Sequence, residues 1–311
     1  MDDVLVAGNS LQGIQEVKSK LMGAFKTRDL GDLKYFLGIK ITRDNGIMYL
    51  NQGSYLRKLL RKFKMENCAP VKTPMLLHGT SLIESKPING EKPYRELIGS
   101  LMYACMATRP DICAAVNYFS QYQSNPLEEH WKGLKRILRY IQGTLDLSLC
   151  YTNQSKSPLA GYADADFANG SDRKSVTGFV IDVFGNLVSW CTRKQRTVAL
   201  STTEVEFVSL ATASAEVLWV KMLLGNLGLP LKDPIPVYED NQSCIHSSKS
   251  WDQRRMKHID VKYNFVRDLQ EEKIFHVQYI STHDQKADIM TKPLAPEFFN
   301  KHRSSLGLTI K

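Results

Sequence analysis

Carboxylates at Asp164, Asp166, Glu204, Glu206, Glu239, Asp240 and Asp288 stand where strands are predicted to end or helices to begin. In GYADADFANGSDRKS, residues 161–175, one alanine separates Asp164 from Asp166. A strand over residues 159–167 sends both acids to one face and Ala163, Ala165 and Phe167 to the other, because side chains alternate along a strand. Two like charges on one surface need water, a cation or a hydrogen-bond donor to neutralise them. Strand ends and helix starts crowd one edge of an open α/β sheet, so acids at such positions can converge. Oxygen ligands without cysteine suit Mg²⁺ or Mn²⁺ rather than zinc. Two such ions about 4 Å apart stabilise both the attacking and the leaving oxygen when a phosphodiester is cut.

Ordinary jobs compete for the same residues. Ser201-x-x-Glu204 is a capping box, which gives Glu204 a structural role and leaves Glu206 without one. Asp288 suits a helix N-terminus, and Asp240 before Asn241 can open an Asx turn. The Asp164–Asp166 pair can be a strand running out into an acidic turn. Spacing alone leaves a metal site and a set of caps and turns both open.

The elements that would position these acids follow from periodicity. GYADADF, TGFVIDVFG and LVSWCTRKQ read as successive antiparallel strands. STTEVEFVSLATASAEVLWVKMLLGNLGLP reads as a long helix opened by the capping box and closed by Gly225, Gly228 and Pro230. IPVYED is a fourth strand, MKHIDVKYNFVRDLQEEK a helix, IFHVQYI a fifth strand, and QKADIMTK opens a last helix. That order predicts an α/β layer fold.

Upstream, YFLGIKITRDNGIMYLNQ alternates on both sides of Asp44-Asn45-Gly46 and predicts a β-hairpin. The chain opens with MDDVLVAGNS, which reads as a strand entered in mid-domain. GSYLRKLLRKFKM is a basic amphipathic helix with Tyr55, Leu56, Leu59 and Leu60 on its apolar stripe. A connector rich in Pro, Gly and Ser follows, then three helices broken near Arg109-Pro110 and Asn125-Pro126 and ended at Gly143. In the last of these Trp131, Leu134, Leu138 and Ile141 form the buried stripe. Lys132, Lys135, Arg136 and Arg139 line a flank that can face phosphates or simply solvent.

The 311 residues suffice for two domains or one large one, and 43% hydrophobic content supports real cores. A formal charge of +9 suits a polyanionic partner and equally suits plain solubility. The cysteines, Cys68, Cys105, Cys113, Cys150, Cys191 and Cys244, make no Cys-x-x-Cys pair, which argues against a zinc site or a disulfide framework. No apolar run of about 18 residues stands out and no basic-then-apolar leader opens the chain, so a cytoplasmic or nuclear protein without membrane contact is expected.

GYADADFANGSDRKSVTGFV, SWCTRKQRTVALSTTEVEF, EDNQS, KHIDVKYNFVRD and QKADIMTKPL together resemble the ribonuclease H domain that ends the Pol polyprotein of copia-type LTR retrotransposons of plants. DDVLVAGNS, DLGDLKYFLGIKI, YRELIGSLMYACMATRPDICAAV and SNPLEEHWKGLKRILRYIQGT resemble the same polyprotein's reverse transcriptase end and connection. The resemblance covers essentially the whole chain. It implies a reverse transcriptase remnant at 1–75, a helical thumb and connection at 76–150, and a ribonuclease H domain with a mixed five-stranded sheet at 156–311.

Carried over residue by residue, the resemblance implies a Mg²⁺ site (Mn²⁺ as substitute) built from Asp164, Glu206, Asp240 and Asp288. Glu206 is preferred to Glu204 because "Glu, apolar, any, small" fits EFVS. Asp166 and Glu204 are near neighbours, and His283 stands where other ribonuclease H domains carry a loop histidine linked to product release. The implied reaction is endonucleolytic cleavage of the RNA strand in an RNA/DNA hybrid, leaving a 3′-hydroxyl and a 5′-phosphate. Lys194, Arg196, Lys257 and the stripe from Lys132 to Arg139 are candidates for gripping phosphates. Asp2 and Asp3 match the polymerase Asp-Asp pair. The fingers and a further palm carboxylate lie upstream of that pair in the family, so no DNA synthesis by this chain alone is expected, and other Pol segments are expected partners. An inactive relic that only binds nucleic acid, and an interaction module with incidental acids, are the rival expectations.

Overall fold

The computed structural model describes residues 3–77, 85–88, 90, 92–153, 157–168, 172–249 and 260–311. Helix α1 (Leu11–Ala24) is capped by Ser10, whose hydroxyl accepts from Gly13 N, and it buries none of its residues. Residues 4–8, read above as a strand, form none. No described strand lies beside them to complete a ladder, and Val4 is 67% exposed. Strands β1 (Tyr35–Phe36), β2 (Ile39–Asp44) and β3 (Ile47–Asn51) pair antiparallel in sequence. Asn45 and Gly46, at φ 48° and 77°, supply the two left-handed positions of the predicted hairpin turn.

Helix α2 (Gly53–Lys62) buries Leu56, Leu59 and Leu60 and turns its basic residues outward. Helices α3 (Tyr94–Ala107), α4 (Cys113–Ser120) and α5 (Glu128–Gln142) follow, with a 3₁₀ turn at Pro110–Ile112 and Gly143 at the C-cap of α5. Proline lacks an N–H and clashes with the preceding turn, which places the breaks where the sequence put them. Between α5 and the second sheet, LSLCY forms β4 (Leu147–Tyr151), a strand the helical reading of 76–150 did not include, paired with β3.

The second sheet is built from β5 (Leu159–Asp166), β6 (Val176–Val183), β7 (Asn186–Lys194), β8 (Ile235–Glu239) and β9 (Phe275–Tyr279). Its order is β7-β6-β5-β8-β9, antiparallel among the first three and parallel from β5 to β8 and β8 to β9. Helix α6 (Thr202–Asn226) crosses the sheet and packs on β5 and β6, while α7 (Gln242–Lys249) and α8 (Asp260–Glu271) complete that layer. This mixed five-stranded sheet with helices is the ribonuclease H-like α/β arrangement.

Among the described residues, α6 is the one helix whose length and composition would allow a membrane crossing. More than half of its apolar window is buried, and Phe207, Leu210, Ala213 and Val217 lie in the core cluster beneath it. The helix read from QKADIMTK is only the single turn α9 (Asp288–Thr291). Lys292 is extended at φ −135°, ψ 154° because a residue before proline is driven out of the helical region, and Pro293 follows. Helix α10 (Pro296–Ser305) restarts with proline in its first turn.

The chain's last strand, β10 (Leu308–Ile310), adds to the first sheet by pairing with β4, giving the order β1-β2-β3-β4-β10. One core cluster accordingly runs from Leu97, Leu101 and Leu134 through Val180 and Leu187 to Met290, Phe299 and Leu308. Polar ties reinforce it. Trp190 Nε1 donates to Cys105 O at 2.9 Å and Asn117 Nδ2 to Thr192 O at 3.0 Å. At its centre Arg109, 1% exposed, forks onto Asp111 through Nε at 2.9 Å and Nη2 at 2.8 Å, and Tyr140 Oη donates to Asp111 Oδ2 at 2.6 Å. All six cysteines are free.

Candidate active site

Strand β5 delivers Asp164 to the sheet's edge, 1% exposed and opposite Gly178 of β6. Gly178 lets α9 lie against the strands, for a Cβ there would stand 2.5 Å from Thr291 Cγ2 and 2.8 Å from Met290 Cβ. Thr291 therefore reaches Asp164 and donates to its Oδ2, while Lys292 Nζ stands 3.4 Å from its Oδ1. Helix α6 approaches equally closely. The buried hydroxyl of Ser209 donates to Asp164 O at 2.7 Å and Gly178 O at 3.2 Å, bridging the two strands. This contact explains why the pattern Glu-x-x-small selects Glu206, one turn before Ser209, as the acid facing the sheet edge.

Carboxylate oxygens of Asp164, Glu206 and Asp240 lie within 4.8 Å of one another. Asp240 follows β8, and its Oδ2 accepts from Thr282 Oγ1 at 2.7 Å. Its neighbours take over the turn chemistry: Asn241 Oδ1 accepts from Cys244 N at 2.9 Å, and Glu239 Oε1 accepts from Asn241 N at 3.0 Å. Asp288, in the first turn of α9, is 4% exposed and joins the group through Lys292, whose Nζ is 3.2 Å from Asp288 Oδ1.

Two further participants join them: Glu239, which the sequence places at a strand end without assigning it a role, and Lys292, which the sequence reading did not single out. Glu239 is fully buried, with Oε2 left without a partner. Strand alternation signals it, since Glu239 shares the inward face of β8 with Ile235 and Val237. Lys292 is the cation of the cluster, and its signal is the i, i+4 spacing from Asp288.

Burial and mutual repulsion shape the charges. Burial first, then Glu239, Asp164 and Asp240, push the Glu206 carboxyl up to about 11. Burial and then Asp164 raise Asp288 to about 8. Asp164 and Glu239 are raised as well, both chiefly by burial. Burial opposes the Lys292 ammonium, but Asp164 and Asp288 outweigh it and raise its pKa. Such a cluster favours protons or cations over bare carboxylates.

The donor set fits a hard divalent cation. All candidate ligands are carboxylate oxygens, Glu206 Oε2 is buried without a partner, and the 4.8 Å spread can close on an ion whose ligands sit at about 2.1 Å. The nearby Cys244 thiol is held protonated, chiefly by burial, and contributes no thiolate.

The remaining sequence candidates lie elsewhere. Glu204 Oε2 accepts from Leu200 N at 2.8 Å and Glu204 N donates to Ser201 Oγ, which is the capping box. Asp166 ends β5 opposite Val176. His283 stacks on Phe298, with ring centroids 5.4 Å apart. Lys132 pairs with Glu129 at 2.5 Å, Arg136 donates to Thr73 Oγ1 at 3.1 Å and Arg139 to Ala69 O at 2.8 Å. That flank thus holds the connector, with Lys135 half-buried beside it. Lys194 is engaged by Gln121 at 2.5 Å and Asp172 at 2.9 Å, and Arg196 is exposed in the bend after β7. Asp3 is exposed, while Asp2 and Lys257 fall outside the described residues.

Fold and site together define a ribonuclease H-like α/β protein with an acidic centre at its sheet edge. Residues 1–77 match the family described as reverse transcriptase (RNA-dependent DNA polymerase). Across 99% of the chain it is 38% identical to the retrovirus-related Pol polyprotein from transposon TNT 1-94 of Nicotiana tabacum, covering 24% of that protein. The corresponding protein from transposon RE1 of Arabidopsis thaliana is 36% identical over 99% of the chain and 21% of its own length. A foamy viral protease-reverse transcriptase solved in complex with RNA/DNA hybrid aligns with 88% of this chain and 33% of its own, at 17% identity and TM-score 0.45. The chain is thus similar over almost its whole length to Pol polyproteins of plant copia-type retrotransposons, and it spans about a quarter of the length of these curated relatives.

Proposed function

We propose that this chain cuts the RNA strand of RNA/DNA hybrids in a Mg²⁺-dependent reaction, as the ribonuclease H part of a Pol polyprotein. The observation that carries the proposal is the meeting of Asp164, Glu206 and Asp240, from a strand, a helix and a second strand end, within 4.8 Å at the sheet edge. Asp164, Glu206, Asp240 and Asp288 would hold the cations. Divalent cations lower the pKa of water and neutralise charge that builds on a phosphodiester during its hydrolysis. Thr291 fixes Asp164 and Thr282 fixes Asp240, so two of the acids are oriented before substrate arrives.

Lys194 and the exposed Arg196, beside the N-terminus of α6, are proposed to meet the hybrid backbone, where contacts are electrostatic and salt-sensitive. Discrimination of RNA from DNA would come from the 2′-hydroxyl and the wide minor groove of an A-like duplex. The division at 1–75, 76–150 and 156–311 is proposed as the functional one, with β10 stitching the last part to β4.

The test is incubation of the whole chain with an end-labelled hybrid in Mg²⁺ and in EDTA. Cutting confined to the RNA strand and to Mg²⁺ supports the proposal, and Asp240→Asn should abolish it with little change in the metal-free melting temperature. Cleavage that survives Asp240→Asn refutes the site. Absence of cleavage by a well-folded wild type, with salt-dependent binding retained, would favour a nucleic-acid-binding relic.

A further inference from the structure

Among the described residues, Asp164 and Asp288 pair with one cation, Lys292, whose Nζ lies 3.4 Å from Asp164 Oδ1 and 3.2 Å from Asp288 Oδ1. Its backbone is pinned by extended geometry at the end of α9, by donation of its N–H to Asp288 O at 3.2 Å and by the proline that follows. The ammonium itself is not locked in, because its side chain is 30% exposed at the mouth of the cluster. Both ion-pair distances exceed the 2.7–2.9 Å or so of a strong charge-assisted bond, so the contact can yield to a better cation.

The position is asymmetric. Carboxylate oxygens of Asp164, Glu206 and Asp240 gather within 4.8 Å of one another, whereas the ammonium makes its ion pairs with Asp164 and Asp288. Resting on the proposal that these carboxylates bind divalent cations, we infer that Lys292 is a built-in counter-ion occupying the Asp164–Asp288 side. It holds both acids in place without metal, leaves one divalent position in the free protein, and sets the concentration at which a second ion enters. A unit positive charge this close to two of the ligands opposes a further cation directly, since partly buried charges are weakly screened. The effect is electrostatic rather than a blockade, because each carboxylate oxygen keeps a second lone pair.

The experiment is calorimetric titration of Mn²⁺ into the whole chain without nucleic acid, for wild type, Lys292→Met and Lys292→Arg, with melting temperatures in EDTA and in Mn²⁺. Wild type and Lys292→Arg are expected to bind one ion. Lys292→Met, similar in length but uncharged, should gain a second with affinity raised at least about tenfold, or ~1.4 kcal/mol. It should also melt lower than wild type in EDTA and gain more from Mn²⁺. If Lys292→Met is unfolded in EDTA, refolding by Mn²⁺ supports the inference and failure to refold overturns it. Identical isotherms for wild type and Lys292→Met overturn the inference while leaving the metal site standing. No Mn²⁺ binding by any of the proteins removes both.

Discussion

Gly178→Ala places one methyl group where the strand and α9 meet. The added carbon would sit 2.5 Å from Thr291 Cγ2 and 2.8 Å from Met290 Cβ, with Ala287 O at 3.3 Å. Carbon contacts settle near 3.5–4.0 Å, so α9 has to retreat by about 1 Å. Overpacking of this kind costs about 1–3 kcal/mol. For a chain of this size that lowers Tm by roughly 2–5 °C. The catalytic loss should be far larger than the stability loss, because α9 carries both Asp288 and the Thr291 hydroxyl that orients Asp164. A misplacement of about 1 Å can cost on the order of 100-fold in rate. The assay is single-turnover cleavage of a labelled hybrid at saturating Mg²⁺, run well below both melting temperatures. Gly161→Ala is the control: its Cβ would meet Val217 Cγ2 at 2.9 Å, under α6 and away from α9, so it should lower Tm with little effect on rate. A Gly178→Ala protein that melts lower but cleaves within about twofold of wild type would refute the argued role of α9.

In EDTA the melting temperature should fall as pH rises from about 4 to about 8. Asp288 takes up a proton on folding across that window, from about 3.9 unfolded to about 8 folded, so its protonated burial stabilises at low pH and is lost through pH 8, with Glu206 extending the trend towards about 11. Scanning calorimetry checks this, and Mg²⁺ should flatten the slope. Asp111→Ala strands the buried Arg109 guanidinium and should cost about 3–5 kcal/mol in denaturant unfolding. Deleting residues 306–311 removes the buried Leu306 and Leu308 along with β10. Two such side chains are worth roughly 3–6 kcal/mol, so the urea midpoint should drop sharply.

The hairpin and α6 were legible because their signals are local. Asn45-Gly46 names its turn and Ser201-x-x-Glu204 its cap. Glu206 was separable from Glu204 for the same reason, since the cap consumes one acid and Ser209 identifies the face of the other. Strands β4 and β10 were missed because five and three residues carry too little periodicity, and their identity rests on a ladder between residues 147–151 and 308–310. Helix α9 was read too long because Asp288 to Lys292 keeps helical spacing, while Pro293 ends the helix one residue earlier than the pattern does. The Arg136 and Arg139 stripe was ambiguous because amphipathic spacing does not say what covers the basic flank. Here the aperiodic connector at Ala69 and Thr73 does. Lys292 stayed hidden for a related reason: a helical Asp–Lys pair looks like a surface ion pair until β5 brings Asp164 against it.

The most direct test of the acidic centre is anomalous scattering from a crystal of the whole chain grown with Mn²⁺. A peak within roughly 2.2 Å of oxygens from Asp164, Glu206 and Asp240 is the expected result. A protein that cuts hybrids while its bound Mn²⁺ lies away from all three acids would contradict the assignment.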